Sequence, residues 1–249
     1  MATVIHVRGG IVVQSLLLAA VAGTLAAGLG LVLCWLMTGR RWFQVVVLTL
    51  LAADWAMPGP VVGFGLKETI SKLLNFLRSD PAHPDPVAIA LWYGPSPLPI
   101  LWVYLLRFLP CAVALLWPVV RLLPREWHET ALLEGASPWQ DFRRVTLPLL
   151  LPVTLRATLA VAILALGEIS ASKLVETPGS QTFAQEIFDR MHYGVENDLA
   201  ACCLVLLAAV VVSGSVVAST QKALGIRHWA LLRQRPWKSP NACEPMPNA

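Results

Sequence analysis

Charge is scarce in this chain. Asp, Glu, Lys and Arg make up only 14% of its 249 residues, 56% are hydrophobic, and the mean hydropathy is +0.63. A water-soluble domain is usually about a quarter charged, so this balance excludes one and points to an integral membrane protein. No Gly-x-x-x-x-Gly-Lys-Ser/Thr run occurs, which excludes a nucleotide-binding P-loop on this chain. The five cysteines offer neither a Cys-x-x-Cys pair nor a Cys/His metal spacing. Cys34, Cys111, Cys202 and Cys203 lie inside apolar runs and Cys243 stands alone in the tail, so they read as small apolar residues. The net charge of +4 gathers into no single patch, and nucleic-acid binding drops out. Its cations fall between apolar runs and in the tail, where the positive-inside rule places them.

What the chain does have is long apolar runs separated by short polar stretches. The reading is all-α and membrane-integral, with about five transmembrane helices over 12–37, 43–66, 100–120, 147–167 and 199–220. Residues 1–11 form an extracytoplasmic N-terminus, 12–220 the transmembrane domain, and 221–249 a basic tail that is disordered at its end. The first run is too long for the core of a signal peptide. Its Gly23, Gly28 and Gly30, with Ala26 and Ala27, offer a small-residue face for close helix packing. The second run is interrupted by Met57-Pro58-Gly59-Pro60, a break suited to a buried or cavity-lining helix, and Lys67 to Arg78 reads as an amphipathic interfacial helix. The third run carries Pro110 and Pro118, where kinks are expected. Asp80, His83 and Asp85 sit among prolines in a stiff surface loop rather than a metal site. A short helix is expected from Thr182 to His192 in a second outside loop over 168–198.

Orientation follows from charge. Arg40 and Arg41, the arginines at 121, 125, 143 and 144, and the basic tail all fall on one side of a five-span chain. That puts the N-terminus outside and the C-terminus in the cytoplasm of a bacterial inner membrane.

The polar segment between the third and fourth runs, 121–146, lies on this cytoplasmic side. Residues 125–136 hold good helix formers until Gly135 loosens the chain. Ser137-Pro138-Trp139-Gln140 then restarts it: Ser137 can cap, Pro138 suits the first helical position, and Gln140 stands where a capping-box partner belongs. The segment reads as helix, tight turn, second helix. Glu129, Ala131, Gly135, Val145, Leu147 and Pro148 stand at the spacings Glu-Ala-Ala, three residues, Gly, nine residues, aliphatic, one residue, Leu-Pro. In this the chain resembles the permease subunits of binding-protein-dependent ABC importers, departing only at Thr130, where that family usually has Ala.

The resemblance covers roughly 12–220 and implies a type I permease core. Residues 125–148, including Ala136, would be a coupling helix seated in a groove of a partner ATPase. It implies an ABC ATPase dimer, a second permease module (a homodimer or a heterodimer) and an extracytoplasmic substrate-binding protein as partners, with lipid around the subunit. This chain would be no enzyme and bind no cofactor, ATP and Mg belonging to the ATPase. Arg107-Phe-Leu-Pro110, Gly135-Ala-Ser-Pro-Trp139, Leu166-Gly-Glu-Ile-Ser-Ala171, Ile187-Phe188 and His192-Tyr-Gly194 resemble the ferric-iron branch, implying ferric iron or a ferric complex as substrate. Sulfate, molybdate, thiamine and polyamine importers share the same core, and a non-transport scaffold is the reading from another class. Ferric-iron permeases of this type usually carry two modules in one chain. One module here implies a half-size subunit that pairs with another chain, or a truncated product.

Four polar residues inside or beside the runs are candidates for the path. Asp54 and Arg156 sit near mid-span and either form a pair, since an isolated charge at that depth is costly, or each face a watery cavity unpaired. Arg107 either snorkels or lines the path, and Glu168 is either a gate or a structural cap. Asp54 has no nucleophile or second acid beside it in sequence, which argues against an intramembrane enzyme.

Overall fold

The computed structural model describes residues 2–77, 85–123, 129–130, 133–193 and, in the last apolar run, 200, 202–204, 206–208, 210–212, 214–215 and 219. Six helices organise it: α1 (Ala2–Met37), α2 (Arg41–Ala56), α3 (Gly59–Phe76), α4 (Leu98–Arg121), α5 (Leu147–Leu166) and α6 (Phe183–Tyr193). Among the described residues, Gly9–Met37, Leu98–Arg121 and Pro138–Leu166 are long and apolar enough to cross a membrane, and the bent pair α2–α3 makes a fourth crossing if counted as one. Of the expected fifth span, the described residues are helical, Cys202 to Leu204 and Leu206 to Ala208 among them.

The helix α1 is the hub, packing along α5 and α4, and α4 packs on α5 in turn. Its glycines divide the work. A Cβ on Gly23 would collide with the Thr158 carbonyl of α5, and one on Gly30 would lie 3.3 Å from the Ala112 Cβ of α4, whereas Gly28 faces open space. Backbone therefore meets backbone at Gly23, the close approach that small residues permit. One apolar layer of Leu18, Ala22, Ile100, Val103 and Val161 fills the half of the bundle nearer the start of α1. A second, with Leu31, Met37, Leu116, Phe142 and Leu150, fills the half nearer its end. The α1 helix begins ten residues before the apolar run, at Ala2.

The second run breaks where expected, at Met57 and Pro58, both extended, and α2 and α3 meet at 106°. Pro58 lacks an N–H and disfavours helix at Met57, and Gly59 and Pro60 restart the helix at its first turn. The expected interfacial helix is absorbed into α3, whose buried stripe of Val62, Leu66, Ile70 and Leu74 recurs at helical spacing. In the third run, α4 continues through Pro110 and Pro118 as one helix.

Candidate functional site

The motif segment between the third and fourth runs lies at the end of the bundle where α1 stops. Glu129 and Leu133 are exposed, and Glu134 donates its N–H to the Thr130 carbonyl, a turn of the first helix. Ala131 and residues 124–128 lie outside the described residues. Gly135 has φ +78°, the left-handed conformation that ends a helix at little cost only for glycine. Two residues on, the capping box closes: the Gln140 N–H donates to Ser137 Oγ at 3.4 Å and the Ser137 N–H donates to Gln140 Oε1 at 3.0 Å. Ala136 is half-buried, and the turn Pro138–Asp141 passes directly into a π-helical stretch, Phe142–Thr146, before α5. Val145 and Leu147 are half-buried and Pro148 is exposed, so the motif residues line one short, surface-facing joint.

The path candidates are regrouped. Asp54 and Arg156 form no pair, and depth alone misled: α2 packs on α4 and α1, while α5 packs against α1 and α4. The cation whose charge reaches Asp54 is Arg107. Arg107 does not stand bare: its Nη1 donates to the Met57 carbonyl at 2.7 Å and lies 3.5 Å from that of Trp55. These are carbonyls that the break leaves without helical partners, so a guanidinium there satisfies both their hydrogen bonding and the negative end of the α2 dipole. Arg107→Met should therefore destabilise the solubilised protein by about 1.5–3 kcal/mol, with Arg107→Lys milder. Thermal unfolding in detergent measures it, and equal stability for Met and wild type would show that the bond carries nothing. Arg156 is half-buried, and its Nε is buried without a hydrogen-bond partner in the structure.

Glu168 acts as a cap. Its Oε1 accepts the Ala171 N–H at 2.9 Å and its carbonyl accepts Ser172 Oγ at 2.9 Å, holding the 3-10 turn Ser172–Val175. This loop packs on the start of α3, where a Cβ on Gly63 would lie 2.6 Å from the Ala171 carbonyl. Glu168→Gln keeps an acceptor and should be nearly neutral for stability, whereas Glu168→Ala should cost about 1–3 kcal/mol. If Glu168→Gln instead stops transport in a folded subunit, the carboxylate charge has a gating role.

Sequence inspection missed the polar interior beside this cap, because its members are distant along the chain. Gln185 is fully buried; its Oε1 accepts the Thr182 N–H at 2.8 Å and its Nε2 donates to Ser172 Oγ at 3.3 Å. The Tyr104 hydroxyl faces Ser172 and Thr182, and Ser15 Oγ of α1 accepts the Phe183 N–H at 2.8 Å. Thr177-Pro-Gly-Ser180 makes a turn with Gly179 at φ +80°, fastened by Thr177 Oγ1 donating to the Ser96 carbonyl at 2.8 Å. The helix α6 matches the expected short helix and is docked by these bonds.

At this same end lies a cavity of about 540 Å3 lined by Gln14, Lys67, Trp92, Lys173, Glu176 and Gln181 among others. Lys173 Nζ lies 2.9 Å from Glu176 and 3.0 Å from Asp189. Burial works against that ammonium, but the two carboxylates outweigh it and leave its pKa raised. The stability that the raised lysine contributes is present at neutral pH and is lost as pH climbs past the ordinary lysine range. None of Asp54, Arg107, Arg156 or Glu168 lines this cavity.

The family model for binding-protein-dependent transport system inner membrane components matches residues 15–229. The putrescine transport system permease protein PotI of Escherichia coli K12 is 28% identical over 205 residues, 81% of this chain and 68% of that one. The protein named as a 2-aminoethylphosphonate transport system permease, PhnV, of Salmonella typhimurium is 36% identical over 91 residues. The chain spans only 34% of the length of that relative. A bacterial alginate ABC transporter, solved in complex with an alginate pentasaccharide-bound periplasmic protein, superposes with a TM-score of 0.57 at 16% identity, covering 84% of this chain and 75% of that one. At that identity the likeness is one of fold. The match over 15–229 settles what kind of chain carries this joint: it belongs to the family of binding-protein-dependent transport system inner membrane components.

Proposed function

We propose that the chain is the permease subunit of an ATP-driven importer. It forms half of a substrate path with a second permease module and couples to a separate ATPase dimer through 125–148. The observation that carries this reading is the joint itself. A left-handed Gly135 and a closed capping box display exposed Leu133 and Trp139 at one end of the bundle, the form an apolar groove on a partner can receive. In this reading the joint faces the cytoplasm, the N-terminus lies outside, and an extracytoplasmic binding protein delivers solute to the opposite end. ATP closes the ATPase dimer, the coupling segments follow, and the paired modules rock between inward-open and outward-open states.

The substrate is read as a small charged solute. The segments around Arg107, Glu168 and His192 favour ferric iron or a ferric complex. The relatives carry the names of putrescine and 2-aminoethylphosphonate, and these are the competing solutes. Affinity purification of the chain from its native membranes tests the transport reading. An ATPase recovered with wild type and lost with Gly135→Arg supports it, and absence of any ATPase from both sinks it. Uptake of radiolabelled ferric citrate, putrescine and 2-aminoethylphosphonate by vesicles holding the recovered complex then selects the solute.

A further inference from the structure

The covalent route from the coupling segment to the membrane runs through a weak element. After the four-residue turn Pro138–Asp141 the chain is π-helical over Phe142–Thr146, with the Leu147 N–H donating to the Phe142 carbonyl five residues back. Such wide turns are intrinsically poorer than α-helix and persist where something outside the helix braces them. A push on the coupling segment would be absorbed there unless the segment were fastened elsewhere.

It is fastened to α1. Trp35, in the last turn of α1, meets Phe142 at 4.9 Å between ring centroids and Trp139 edge-on at 6.5 Å; Trp139 stacks on Phe142 at 5.3 Å and 24°. Phe142 is buried, while Trp139 is 59% exposed on the coupling segment itself. The backbone of Trp35 is held by its neighbours. Cys34 and Met37 are buried in the core beside it, and Thr38 donates both its N–H, at 3.1 Å, and its hydroxyl, at 2.6 Å, to the Trp35 carbonyl. The three rings therefore bridge from the partner-facing surface to the helix that packs on both α4 and α5.

We propose that Trp35, Trp139 and Phe142 form an aromatic clasp that carries movement of the coupling segment directly into α1, bypassing the π-helical turn. Trp35 is then a positioning residue for energy transmission. It touches neither the ATPase nor the solute. This rests on the importer reading, and the test separates the two. The complex co-purified with its ATPase is placed in lipid nanodiscs, and ATP hydrolysis is measured with and without the co-purifying binding protein. Trp35→Leu should keep the ATPase bound and its basal hydrolysis unchanged, but lose the stimulation by binding protein by about tenfold or more. Trp35→Phe, which keeps an aromatic ring, should restore most of it. Full stimulation in Trp35→Leu overturns the clasp while leaving the importer standing. So does loss of the ATPase from both variants, since Trp35 would then serve assembly instead. If the wild-type complex shows no stimulation, the importer reading fails and the clasp falls with it.

Discussion

Gly135→Arg is expected to abolish transport while the subunit still folds and inserts. Two effects need separating. At φ +78° any L-residue is strained by about 1–2 kcal/mol, a local cost in an exposed turn. A Cβ at Gly135 meets nothing within 4 Å in this chain, so no internal clash adds to it. The remaining loss must come from the surface against which the turn is seated. A series resolves this: Asn tolerates the left-handed conformation, Ala adds strain and a methyl group, and Arg adds strain, bulk and charge. Uptake should fall in the order Gly, Asn, Ala, Arg, with membrane abundance of the subunit nearly constant. Were Arg to transport as well as Gly, Gly135 would be a turn residue and no part of a docking surface.

The largest effect on stability is expected at Gly23. Its added methyl would meet the Thr158 carbonyl and then the Ala162 N at 3.2 Å, both backbone atoms of α5 that cannot rotate away. Gly23→Ala should therefore force α1 and α5 apart and cost about 2–3 kcal/mol, despite alanine being the better helix former. Gly28→Ala, five residues further along the same helix and facing open space, should be neutral or slightly stabilising. Thermal unfolding of the two variants in the same detergent makes the comparison. Equal stability of both would mean that α1 and α5 do not lie in backbone contact at Gly23.

What could be read from the residues alone depended on whether the determinant was local. The turn at Gly135 and the box from Ser137 to Gln140 are written in adjacent residues, and both formed as expected. The break at Met57–Pro60 was legible as a break, but its 106° angle was not, because it depends on Gly63 lying against Ala171, over a hundred residues away. Hydropathy gives depth without direction around a helix. Asp54 and Arg156 therefore looked like partners, when the arginine beside Asp54 is Arg107. Gly23, Gly28 and Gly30 of α1 looked alike for the same reason, yet Gly23 meets α5, Gly30 meets α4 and Gly28 faces open space. Trp35 gave no signal, since a tryptophan near the end of an apolar run resembles an interfacial anchor.

The angle between α2 and α3 has a mechanical meaning. At 106°, a displacement of α2 along its own length arrives at α3 almost entirely as a sideways shove. The start of α3 is seated against Ser170 and Ala171 through Gly59 and Gly63, so the shove passes on to the loop that Glu168 braces. The elbow is a bell crank whose pivot is pinned by one arginine. Its two arms lie in different directions, so a stroke along one arrives across the other.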